Sequence, residues 1–176
     1  IQISPAPAER VDVKCLRAAM YWPSGVHVGL LSRRYDSFVT CEGFVPSAFI
    51  ISGESTRADW RANISSPLTQ LVIRGDASGQ FAASALQLLQ VGGSLKAMSV
   101  RIGANLGSDA VLGGSGDAAD RFGAGTLARL RVSGDIDDSL IVIGVDPHNG
   151  RYHDGDDRQL GTSTNRVQEL LVGGRL

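Results

Sequence analysis

One glycine-rich stretch gathers Asp146, Asn149, Asp154, Asp156 and Asp157, and this composition suits a hard divalent cation. Calcium takes about six to eight oxygens from carboxylates, amides and backbone carbonyls held on flexible turns. Within the stretch, Asp154-Gly155-Asp156-Asp157 crowds three carboxylates into four residues. Such charges repel unless a cation, the flanking Arg151 and Arg158, or water neutralises them. Calcium is therefore the candidate cofactor, with those five residues as candidate ligands; solvated turn residues are the plain reading against it, since Asp and Gly are what loops are made of. His148 and His153 in the same stretch have the ligand chemistry of a transition-metal site.

A second set, Asp117, Asp120 and Arg121 together with Tyr152 and Arg158, joins carboxylates and guanidinium groups to an aromatic face. These are the candidate ligand-binding residues. For a polysaccharide lyase or hydrolase, Asp117, Asp120, Asp154 and Asp156 are the candidate acids and Arg121 or Arg158 the charge partners. Spacing alone does not pair those acids, so no residue is assigned as catalytic. Gly113-Gly114-Ser115-Gly116-Asp117 misses the calcium-binding nonapeptide because its aspartate comes one residue early. The 146–157 span lacks the final glutamate of an EF-hand. A nucleophile elbow, a zinc-protease motif and a phosphate loop are all missing from the sequence. Asn63-Ile64-Ser65 fits the N-glycosylation pattern.

The elements that must position these residues are written in a repeated phrase, Leu-x-x-Leu-x-(Val/Ile)-x-Gly. It runs through Leu68, Leu71, Ile73 and Gly75, then Leu86, Leu89, Val91 and Gly93, then Leu127, Leu130, Val132 and Gly134, and last Val167, Leu170, Val172 and Gly174. Two copies continue alike, through Met98, Val100, Ile102 and Gly103 and, with a slipped register, through Leu140, Val142, Ile143 and Gly144. Apolar residues alternate with a period of two, which marks strands with one face on a core. The glycines recur where a helix would have to continue, which excludes a helical reading. The step from Leu68 to Leu86 is compact. The next two steps are longer because segments 104–126 and 145–166 are inserted after the second glycine.

One such turn buries too few aliphatic side chains to offset the entropy of ordering its backbone, so neighbouring turns must stack. Leu71, Leu89, Leu130 and Leu170 are then expected to form one interior ladder, and Ile73, Val91, Val132 and Val172 another. The expected fold is all-β: a parallel β-helix (solenoid), right-handed because the two strands of a turn are unequally spaced and flanked. Residues 1–66 are expected as an irregular N-terminal cap with degenerate turns from near Asp36 and with Trp22, Phe38 and Trp60 in its seam. Residues 67–176 form the repeat region, and its two long insertions emerge side by side on one flank.

Net charge is −1, so no global field draws the chain to nucleic acid or an anionic membrane. No apolar run is long enough for a membrane span. Cys15 and Cys41 are candidates for a disulfide or for two buried thiols. The chain begins at Ile1 rather than Met and stops within the fourth copy, as expected of a piece of a longer polypeptide.

The phrase Leu-x-x-Leu-x-Val-x-Gly, followed by Ser-x-(Val/Leu)-x-Ile-Gly and by a Gly/Asp-rich insert such as Val145-Asp146-Pro147-His148-Asn149-Gly150 leading to Asp154-Gly155-Asp156-Asp157, resembles the β-helical repeat regions of large bacterial secreted or cell-surface proteins. The resemblance covers Pro67 to Leu176. It implies an extracellular structural or adhesive module, a stalk or passenger. The expected partners are carbohydrate or another surface protein. A carbohydrate-active enzyme domain and a subunit that self-associates end to end are the alternatives.

Overall fold

The computed structural model describes the backbone of strand positions 10–15, 28–29, 36–41 and 48–51, residue 56, and residues 58–161 and 165–176. Among the described residues seventeen strands follow one another: β1 (Arg10–Cys15), β2 (Val28–Gly29), β3 (Asp36–Cys41), β4 (Ala48–Ile51), β5 (Arg61–Ile64), β6 (Leu68–Ile73), β7 (Ala77–Ala83), β8 (Leu86–Val91), β9 (Leu95–Ile102), β10 (Ala104–Asn105), β11 (Arg121–Phe122), β12 (Leu127–Val132), β13 (Ile136–Asp137), β14 (Leu140–Ile143), β15 (Val145–Asp146), β16 (Arg158–Gln159) and β17 (Val167–Val172). The one helical element described is a short 3-10 turn, Gly116–Ala118. Among the described residues no helix is long and apolar enough to cross a membrane.

The chain alternates between two parallel sheets. The first has the order β1-β3-β5-β7-β9 with β13 and β14 both on β9, and the second has the order β2-β4-β6-β8-β12-β17. Parallel neighbours cannot be joined by a hairpin, so every step to an adjacent strand of one sheet travels through the other. The register follows the repeated phrase. Leu71 pairs with Leu89, Leu89 with Leu130 and Leu130 with Leu170, and the same order holds from Ile73 through Val91 and Val132 to Val172. Inward residues of both sheets share one core, with Leu71, Leu89 and Phe81 fully buried.

The two-sheet pairing extends upstream of Pro67. β4 continues the ladders through Phe49 opposite Leu71 and Ile51 opposite Ile73, and β1 and β3 extend the first sheet. Trp60 lies in the core. Trp22 and the side chain of Phe38 fall outside the described residues. Cys15 and Cys41 are register partners on β1 and β3, and their side chains also lie outside that description.

One expectation needs correction. Leu140 and Val142 are not the inward positions of β14; Ile141 pairs with Val100 and Ile143 with Ile102, and these two isoleucines pack on the core. The slip arises before the strand, where Asp138 takes a positive φ of 43° and the Ser139 hydroxyl accepts the Met98 N–H at 3.1 Å.

The turns that follow the second sheet are tied together by a relay of side-chain acceptors. Asp76 Oδ1 accepts the Ser94 N–H (2.8 Å), Ser94 Oγ accepts the Asp135 N–H (3.1 Å), and Asp135 Oδ1 accepts the Arg175 N–H (2.6 Å). Each acceptor occupies the space that a Cβ on the next turn would fill, which is why Gly93, Gly134 and Gly174 precede these residues. The repeated glycine of the sequence is thus a steric requirement of the cap on the turn before it.

Candidate functional site

Both insertions leave the first sheet in the same way. Gly103 and Gly144 follow β9 and β14 with φ of 89° and 61°, values that favour glycine. The Gly144 N–H donates to the Ile102 carbonyl one turn below, as the Gly103 N–H does to Ala83. Each insertion then opens into a small antiparallel pair, β10 with β11 and β15 with β16. Each closes on its own starting glycine: the Gly123 N–H returns to the Gly103 carbonyl and the Leu160 N–H to the Gly144 carbonyl, both at 2.7 Å. Asp120-Arg121-Phe122-Gly123 therefore corresponds residue for residue to Asp157-Arg158-Gln159-Leu160, and Gly161 lies beyond the match. The aspartates also do the same work, since Asp120 Oδ2 accepts the Gly113 N–H (2.6 Å) and Asp157 Oδ2 the His153 N–H (2.7 Å).

The first insertion is pinned to the outer face of its sheet by Asn63 on β5, a buried amide with its polar atoms engaged. Its Nδ2 donates to Asn105 Oδ1 (2.9 Å) and the Gly107 carbonyl (2.8 Å), and its Oδ1 accepts the Leu106 N–H (3.0 Å). Beside it Ala82, Ala104 and Leu106 form a small second core that Leu112 and Phe122 cover. The Phe122 ring is committed to packing, so it is no sugar platform. Above this floor lies a groove of about 640 Å³ lined by Ser65, Asn105, Ser108, Asp117 and Arg121, with Gly107, Gly116 and Ala119 between them.

The second insertion carries the acidic cluster. Carboxylate oxygens of Asp154, Asp156 and Asp157 lie within 4.8 Å of one another. A hydrogen bond between Asp156 and Asp154 holds the Asp154 carboxyl below its ordinary range, with help from Asn149, and raises that of Asp156. Carboxylates this close repel one another, and a divalent cation between them would offset that repulsion. Asn149 reaches this cluster through its Nδ2, which donates to Asp154 Oδ2 at 2.6 Å, while its oxygen accepts the Arg151 N–H (2.8 Å). Asp146 stands apart and caps the His148 N–H at 2.9 Å. The five candidate cation ligands thus resolve into a converging trio, a neighbour that supplies a donor, and a turn cap. His148 and His153 both adopt positive φ on this exposed loop.

Between the insertions lies a polar cluster that sequence reasoning missed. Arg101 on β9 points out of the sheet and is only 7% exposed. Its Nη1 donates to Gln80 Oε1 (3.2 Å) and its guanidinium carbon stands 5.8 Å from the centre of the Tyr152 ring. Burial lowers the pKa of Arg101 and raises those of Tyr152 and Asp120. The Arg101 charge draws the two acidic groups part of the way back. Arg101 Nε, Tyr152 Oη, Asp120 Oδ1 and Asp157 Oδ1 are buried without hydrogen-bond partners among the described residues. The signal for Arg101 was present, a charged residue between Val100 and Ile102 in an apolar strand.

The ligand-binding candidates therefore separate. Asp117 and Arg121 line the groove, Asp120 and Tyr152 lie against Arg101, and Arg158 is exposed on β16. Comparison with protein-family models, curated proteins and solved structures finds no match to this chain.

Proposed function

We propose that the chain is a segment of a right-handed parallel β-helix serving as a structural or adhesive binding module of a larger extracellular bacterial protein. Its two insertions form the recognition flank, and Asp154, Asp156 and Asp157 hold calcium at its tip. The observation that carries this reading is the stacking of Leu71, Leu89, Leu130 and Leu170 in parallel register, with both sheets lining a common core. Stacked turns space their insertions along one side, and here the insertions leave from glycines joined through adjacent turns, with Arg101 of β9 beneath Tyr152 of the second and close to Asp120 of the first. Such an arrangement offers a rigid spine and a variable flank, the division of labour of solenoid binding proteins. Carbohydrate or another surface protein is the partner class.

Calcium titration followed by thermal unfolding tests the flank. A rise in Tm that saturates in the millimolar range or below, and is lost in Asp156→Asn, supports it. No shift at millimolar calcium removes the cation.

The closeness of the Asp154 and Asp156 carboxylates favours a second reading as an acid and base of a carbohydrate-active enzyme. Release of new reducing or unsaturated ends from acidic polysaccharides would establish it. The edge of β17 leaves Leu170 and Leu171 at 49% and 52% exposure, which favours end-to-end association. Sedimentation across a concentration series checks that reading.

A further inference from the structure

We infer that the groove of the first insertion is a binding site for a small zwitterion of the amino-acid or short-peptide class, with the ligand carboxylate on Arg121 and Asn105 and its ammonium on Asp117. The inference deepens the recognition flank proposed above and rests on the insertions being that flank, but it needs no cation. Its chemistry comes from two pairs of side chains. Asn105 and Arg121 are cross-strand partners on β10 and β11, so they stand side by side. Asn105 is oriented by Asn63, whose Nδ2 donates to Asn105 Oδ1. That leaves the Asn105 N–H groups beside the Arg121 guanidinium, a set made of donors only. A carboxylate matches such a set, because guanidinium can meet both of its oxygens at once.

The second pair is Ser108 and Asp117, held together by the Ser108 N–H donating to the Asp117 carbonyl at 2.9 Å. It contributes a carboxylate and a hydroxyl, which suit an ammonium group. Some exposed charges elsewhere in the fold find partners on neighbouring turns, Lys96 with Asp76 at 2.8 Å and Arg131 with Glu169 at 3.0 Å, and others stand in open solvent rather than in a groove. Asp117 and Arg121 share one groove, yet neither makes an ion pair or a side-chain hydrogen bond among the described residues. Two unspent charges of opposite sign in a cavity within the range of small-molecule sites, about 300–1,000 Å³, are complementary to a ligand that carries both. With Phe122 facing the second core, affinity must come from hydrogen bonds and charge rather than stacking.

Titrating the 15N-labelled chain with triglycine, N-acetyl-triglycine and triglycine methyl ester, without calcium, tests the inference. Saturable shifts of the 105–108 and 116–121 amides are expected with triglycine. Blocking either end should weaken binding about tenfold, as expected for loss of one charge-assisted contact. Arg121→Gln should erase the penalty for esterification and Asp117→Asn the penalty for acetylation. Arg158→Gln, at the matching position of the other insertion, should change neither. Absence of shifts, equal affinity for the three peptides, or end-discrimination that survives both groove variants would each overturn the inference. A null calcium titration beside positive triglycine shifts would sink the cation while leaving this site standing.

Discussion

The two insertions start and finish alike and are held down by opposite means. The first sits on an apolar patch and on Asn63, an amide with its hydrogen-bonding atoms satisfied. The second rests Tyr152 on a buried guanidinium and leaves four polar atoms around that contact unpaired among the described residues. A satisfied buried network rigidifies, whereas a half-satisfied one is costly to keep closed. The first insertion is thus a fixed wall, suited to shaping a groove, and the second is the part that can lift.

Breaking the wall should have the largest effect. Asn63→Ala strips the Leu106 N–H and the Asn105 amide of their buried partner, and a loss of about 3 kcal/mol in chemical denaturation is expected. A loss below about 1 kcal/mol would mean the first insertion is no better anchored than the second. Tyr152→Ala should cost less globally, about 1 kcal/mol, but should speed hydrogen exchange across 145–161 while sparing 104–123. Equal acceleration in both insertions would erase the distinction between them.

Arg101→Met sharpens the comparison further. Removing a buried charge that has no ion pair among the described residues should leave stability within about 1 kcal/mol of wild type or raise it. A large loss would show that Arg101 is a satisfied anchor after all.

The smallest effect concerns acid. Burial raises the Asp120 pKa above the ordinary 3.8 of a free aspartate, so its charged form is disfavoured in the folded chain. Its contribution to stability is therefore poorest at neutral pH and improves as pH falls through the raised value towards 3.8. Asp76 and Asp154 are shifted downwards, and their contributions are lost as pH falls through their lowered values. Asp120→Asn isolates the first effect: its stability relative to wild type should be greatest at neutral pH and shrink on acidification. An unchanged difference from neutral to mildly acidic pH would contradict this.

What the sequence disclosed follows from periodicity. Leucine ladders were legible because a one-residue slip would turn Leu89 or Leu130 to solvent, so the pattern admits one register. Positions of the insertions were legible for the same reason, as excess length between copies. The slip at β14 was not, because Leu140 to Ile143 is apolar throughout and offers no alternation to read. Arg101 was missed, and Asn63 was read only as part of a glycosylation pattern although its amide is buried and engaged, because both occupy outward positions that matter only once an insertion folds back over them. Asp117 and Arg121 were singled out as charged loop residues, but their common groove depends on a hydrogen bond from a strand far back in the chain. The acid trio was the most local feature and the best foreseen, because neighbours in sequence on a tight loop are neighbours in space.

The relay of caps through Asp76, Ser94 and Asp135 gives the stack a direction, each turn offering an oxygen to the amide that follows it. At Arg175 the offer reverses, because a guanidinium has hydrogens to give and no lone pair to receive one. A group that settles against β17 beside Arg175 therefore meets a donor where each turn beneath it offers an acceptor.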